Sequence, residues 1–93
     1  MSITTESQGR KFNVYAVKDE LVGKFLQPIF IETNEEAIRW FKYVLNDTAI
    51  WKSNAAMYTL YKIGEFNDRK GYTDTEIEMI QGGLSVVERK ENA

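Results

Sequence analysis

Apolar positions repeat along this chain in one helical stretch and three alternating ones. Residues Asn34 to Asn46, NEEAIRWFKYVLN, follow the helical period. At about 100° per residue, Trp40, Val44, Ala37, Phe41, Leu45 and Ile38 share one arc, while Arg39, Lys42, Asn46 and Glu36 take the other side. Thr33 or Asn34 has a side-chain oxygen able to accept from the free N–H groups of the first turn. Glu35 and Glu36 stand where the helix dipole favours negative charge, and Asn46-Asp47 predicts the stop. An apolar arc of this width needs a sheet to cover.

Three stretches alternate instead. Lys11 to Lys18, KFNVYAVK, puts Phe12, Val14 and Ala16 on one face and Asn13, Tyr15 and Val17 on the other. Both faces are apolar, which predicts a strand that is central or covered on both sides. Phe25 to Glu32, FLQPIFIE, reads as a second strand; Pro28 cannot donate to a ladder, so it belongs at an edge or begins after the proline. Asp19 to Lys24 connects the two. Met57 to Phe66 is the third, with Tyr58, Leu60, Lys62 and Phe66 on one face, Met57, Thr59, Tyr61 and Ile63 on the other, and Gly64 marking a bulge. Between helix and third strand, Asp47 to Ala56 has no clean period, and Ile50 and Trp51 either tuck under the helix or stay exposed. Asn67-Asp68-Arg69-Lys70-Gly71 is a turn, because Asn and Asp bond their own backbone and Gly tolerates φ > 0. Beyond it, Thr73-x-x-Glu76 and Thr75-x-x-Glu78 imitate capping boxes. Yet Glu76 to Ile80 alternates and LSVVE is β-like, so extended structure on either side of Gly82-Gly83 is expected over a short helix.

The expected fold is α+β: a small antiparallel sheet of three to five strands with one amphipathic helix packed on one face, ordered β-β-α-β plus an extended C-terminal segment. It forms a single domain over residues 11–88, between a flexible N-terminal segment (1–10) and a flexible tail (89–93).

Composition narrows the chemistry. A chain of 93 residues suits one domain, and 43% apolar content with 13% aromatics suits a folded globule. No apolar run approaches the ~18 residues of a membrane span, and the polar opening MSITTESQGRK predicts no secretion signal. The absence of cysteine removes disulfides, thiolate zinc sites and a cysteine nucleophile, which fits a reducing compartment. The absence of histidine removes the commonest general base and neutral metal ligand. Gly82-Gly83 belongs to neither a Walker nor a GxGxxG spacing, and no EF-hand spacing occurs. The carboxylate pairs Asp19-Glu20 and Glu35-Glu36 are explained as turn and helix start. No catalytic residue, metal ligand or cofactor is therefore expected. A net charge of −2 leaves no overall basic stripe for nucleic acid. The pairs Arg10-Lys11, Arg69-Lys70 and Arg89-Lys90, with Arg39 and Lys42 on the helix, allow only a local patch formed by the fold.

The aromatic distribution is more telling. One helix covers one sheet face, and Tyr15, Val17, Tyr58, Tyr61 and Phe66 do not all fit there. Three outcomes compete for the second face: the C-terminal segment folds back over it, a second subunit covers it, or tyrosines among Lys11 and Lys62 make a stacking platform for single-stranded nucleic acid.

Three pieces in order carry a family resemblance: FNVYAVKD (Phe12 to Asp19), QPIFIETNEEAIRWF (Gln27 to Phe41) and YTLYKIGEFNDRKG (Tyr58 to Gly71). Together they resemble the small nonstructural protein of gokushovirus-type microviruses, which are single-stranded DNA phages. The segment NDTAIWKSNAA (Asn46 to Ala56) departs from that pattern, where the family has an asparagine-proline step and an acidic, proline-containing loop. The resemblance implies a phage protein of the host bacterial cytoplasm, absent from the virion and acting in the switch to single-stranded genome synthesis and packaging. It carries a DNA-binding label and no active-site residue. For DNA, the expected phosphate contacts are Lys11, Arg39, Lys42, Lys62, Arg69 and Lys70, with Tyr15 and Tyr58 stacking on bases. The expected assembly is a homodimer, with single-stranded DNA or a phage or host replication protein as partner and no membrane.

Overall fold

A computed structural model describes residues 9–88. The flexible ends expected from the sequence fall outside the described residues at 1–8 and 89–93, and the Arg89-Lys90 pair goes with them. Gly9 and Arg10 are described, and Arg10 is tied down. Its backbone N–H donates to Asp68 Oδ1 at 2.8 Å, and its guanidinium pairs with Glu32 at 2.9 Å.

The alternating stretches build a curled antiparallel sheet around β1 (Lys11–Asp19). On one side of β1 lies a single edge strand broken in two, β2 (Lys24–Phe25) and β3 (Ile29–Ile31). Pro28 sits in the break, so the proline both confines this strand to the edge and interrupts it. On the other side β1 pairs with β4 (Tyr58–Asn67), which turns back into β5 (Gly71–Gly82) at the far edge. The β4–β5 turn forms as its residues dictate: Asn67 Oδ1 accepts from the N–H groups of Arg69 and Lys70.

Helix α1 (Asn34–Asp47) packs on one sheet face. Thr33 is its cap, accepting from Glu36 N–H at 3.1 Å. Ala37, Phe41 and Leu45 are fully buried against Tyr15, Val17, Tyr58 and Leu60, with Ile38 and Trp40 at the border. The segment without a period holds a short helix, α2 (Ala49–Ser53), and a 3-10 turn (Ala55–Met57). Ile50 and Trp51 part company there: Ile50 is exposed, while Trp51 stacks on the Tyr58 ring with centroids 4.9 Å apart.

Two expectations are corrected. The LSVVE stretch is not a strand. After Gly82 the chain enters a 3-10 turn (Gly83–Ser85), and Val86 joins the core under α1. The C-terminal segment therefore does not cover the second sheet face; β5 widens the sheet and the turn after it packs on the helix side. Phe66 also changes faces. Val14 opposes Gly64 but Tyr15 opposes Lys62, so Ile63 is the extra residue of a bulge. Beyond it the alternation inverts, and Phe66 lies opposite Phe12 on the face away from the helix. Gly64 is required here, because a Cβ would lie 2.6 Å from the Tyr72 ring.

Candidate nucleic-acid interface

The helix is shorter than the sheet, and the end of the sheet it leaves bare carries most of the candidate chemistry. Lys11 opposes Asn67, Asn13 opposes Glu65, and Glu65 opposes Thr73, so these polar side chains share a face across β1, β4 and β5. With Phe12, Phe66, Glu32 and Lys70 they line a cleft of about 400 Å³. Asn13 is held in place, donating to Tyr15 Oη at 3.0 Å and to the Glu32 carbonyl at 3.3 Å. At its border the Arg10 guanidinium lies 5.1 Å from the centre of the Phe12 ring, and Phe30 meets Phe66 edge-to-face at 5.1 Å. The arrangement offers two cations for an anion, and amides and carboxylates for a polar heterocycle, with the Phe12 and Phe66 pair on the opposite face of the same sheet end.

The eight residues expected from the sequence separate. Lys11 and Lys70 come together in the cleft, and Arg69 sits beside Lys70 in the exposed turn. Lys62 borders the same face, but its side chain is only 20% exposed and pairs with Glu65 at 3.4 Å. Arg39 and Lys42 lie on the outer side of α1, where they line a different groove with Tyr43, and Lys42 pairs with Glu88 at 3.4 Å. The stacking role expected of Tyr15 and Tyr58 is corrected. Tyr15 is wholly buried with its hydroxyl donating to Asn34 Oδ1, and Tyr58 is 8% exposed beneath Trp51. Neither presents a ring to solvent, because both point into the helix-covered face.

Apart from Tyr43, exposed on the outer side of α1, the sheet's aromatic rings that reach water are on the opposite face and at the bare end: Phe25, Phe30 and Tyr72 are exposed, and Phe12, Tyr61 and Phe66 are half-buried. Alternation alone assigns Phe12 to the face opposite Tyr15; only the bulge adds Phe66 to it. Titration behaviour follows the same division. Burial raises the pKa of Tyr15. The hydrogen bond to Glu20, 2.8 Å long, raises that of Tyr61 and in return lowers that of Glu20. Burial and then a hydrogen bond to Asp74 raise that of Tyr72.

Among the described residues no helix is long and apolar enough to cross a membrane, and no three acidic side chains gather to hold a metal ion. The family model for Phage ORF5 protein matches residues 12–86, which take in α1 and all of the sheet and cleft except Lys11. No curated protein and no solved structure matches the chain.

Proposed function

The chain belongs to the Phage ORF5 protein family, and from that premise we propose that it is a non-enzymatic accessory protein of a gokushovirus-type microvirus. In this reading it acts in the host cytoplasm in single-stranded DNA replication and packaging, and it binds the strand at the bare end of its sheet. The observation that carries the reading is the end of the sheet where Lys11 and Lys70, from β1 and the β4–β5 turn, come together in the cleft, with Phe12 and Phe66 paired on the opposite face of the same end. Cations that track phosphates beside rings on which bases stack are what sequence-tolerant single-strand binding requires. Phosphate contacts fall to Lys11, Lys70 and the neighbouring Arg69, and stacking falls to Phe12 and Phe66.

A salt titration of binding to an unstructured oligonucleotide tests this. Each phosphate contact on a single strand contributes about −0.7 to the log–log slope. Lys11→Glu with Lys70→Glu removes two contacts and flattens the slope by about 1.4 per chain, whereas Arg39→Glu, on the separate helix groove, leaves it unchanged. Absence of binding at about 20 mM salt, where screening is weak and charges still interact over about 20 Å, rejects the reading. A protein-interaction module that binds the phage replication initiator or a host replication factor then takes its place. The β5 edge favours that second reading: it is exposed and carries Asp74, Glu76 and Glu78, which repel phosphate and suit a basic protein surface.

A further inference from the structure

The turn between β1 and β2 is unusual for a solvent loop. Its tip is Leu21-Val22, 76% and 60% exposed, among the most exposed large apolar side chains of the described residues. The tip is also rigid. Asp19 Oδ1 accepts from the N–H groups of Leu21 and Val22, Asp19 O accepts from Gly23 N–H, and Glu20 N–H donates to Met57 O. Tyr61 Oη fastens the Glu20 side chain from β4. Two aliphatic side chains are thus held out in water by a fixed scaffold, with the ordering cost already met within the chain.

Next to this knob lies an apolar groove. On the face away from α1 the sheet curls until the broken edge strand approaches β5. Phe25, Leu26, Ile63, Tyr72 and Ile77 then line a groove of about 490 Å³ with Asp74 on its wall. Phe25, Leu26, Tyr72 and Ile77 are between 37% and 57% exposed, so the groove is open to water. Below it Val14 and Ala16 are sealed, so the unfilled surface is this outer layer alone. The knob stands in solvent and does not fill the groove beside it.

We propose that the chain forms a two-fold dimer in which Leu21 and Val22 of each copy fill the Phe25–Ile77 groove of the other. A two-fold contact must be reciprocal: if the knob of one copy meets the groove of its partner, the partner's knob meets the first groove. That requires knob and groove to lie close together, and Val22 is three residues before Phe25. Area agrees with a second copy. The exposed parts of these six apolar side chains amount to roughly 600 Å² per chain, or about 1,200 Å² for a pair, the lower bound of specific interfaces before any rim is counted.

Sedimentation of the full chain from about 1 to 100 µM tests the proposal. The parent is expected to move from monomer to dimer mass within that range. Leu21→Lys in the knob and Ile77→Asp in the groove each raise the dissociation constant about 30-fold or more, the effect of removing a central anchor. Both positions are exposed, so folding survives, as matching circular dichroism and melts verify. Ile50→Lys, an equally exposed apolar site on α2, leaves the dimer intact. Mixing the two monomeric variants restores dimer mass, because one knob–groove contact in the mixed pair is native and the other sets lysine against aspartate. A parent that stays monomeric throughout overturns the proposal. So does a dimer indifferent to both variants, or a mixture that fails to recover. A monomer whose oligonucleotide binding is lost in Ile77→Asp gives the groove to nucleic acid and also overturns it.

Discussion

Phe41→Ala is the sharpest test of how this small fold holds together. Phe41 is fully buried near the middle of α1, among Tyr15, Leu45 and Leu60, which are equally buried. Truncation removes the ring and leaves a cavity, for a cost of about 3–5 kcal/mol. The cost should lie toward the upper end, because the lining resists collapse. Tyr15 is pinned at its hydroxyl by Asn13 and Asn34, and Val17 and Leu60 are paired in the centre of the sheet. For a domain of this size, each kcal/mol moves the melting temperature by about 4–8 °C, so a loss on the order of 15–40 °C is expected. Urea unfolding at one fixed protein concentration is the assay, read as a fall in midpoint at unchanged m. Arg39→Ala, two residues earlier but on the exposed side of α1, should stay within about 0.5 kcal/mol of the parent. A Phe41→Ala loss below about 1 kcal/mol, or one equal to that of Arg39→Ala, would refute the packing described here.

Other outcomes follow from the same geometry. Gly83→Ala should cost about 1–3 kcal/mol, since its Cβ would sit 2.2 Å from Ala55 O and 2.9 Å from Tyr58 O, both backbone; a melt equal to the parent's would show that the turn can shift. Asn46→Ala removes the side chain that donates to Val86 O and accepts from Glu88 N–H, so amide exchange at residues 86–88 should speed up more than in the core of β1. Stability should fall at both ends of the pH scale. Glu20, whose pKa is lowered by Tyr61, contributes above the ordinary value of 4.5 and loses that contribution as pH drops through the lowered one. Tyr15, whose pKa burial raises, contributes below 10.0 and loses its part as pH climbs through the raised one. Tyr61→Phe should weaken the acid limb of melts recorded from pH 3 to 11, and an unchanged limb would place the acid dependence elsewhere.

Family membership supplies the phage context of the chain. The fold explains how so small a protein has two surfaces of different character: a polar cleft of mixed charge at the end of the sheet the helix leaves bare, and an apolar groove where the sheet curls.

Local sequence was sufficient wherever a short-range rule governed. The helical period of Asn34 to Asn46, the Thr33 cap, the proline-broken edge strand and the Asn67 to Gly71 turn are all set by groups within a few residues of one another. Sequence also determined that β1 would be apolar on both faces. It did not determine which tyrosines would be seen by solvent, because Tyr15 and Tyr61 are equally amphipathic side chains, and a helix arriving from elsewhere in the chain decides which is covered. Nor did it determine the face of Phe66, since a one-residue bulge at Ile63 inverts every later position of β4 and leaves only a glycine as its trace. The cleft and the groove are further removed still. Lys11 and Lys70 are joined only by strand register, and Phe25 and Ile77 only by the curl of the whole sheet. Register and curvature are sums over many residues, so they belong to the tertiary structure and not to any stretch of the chain.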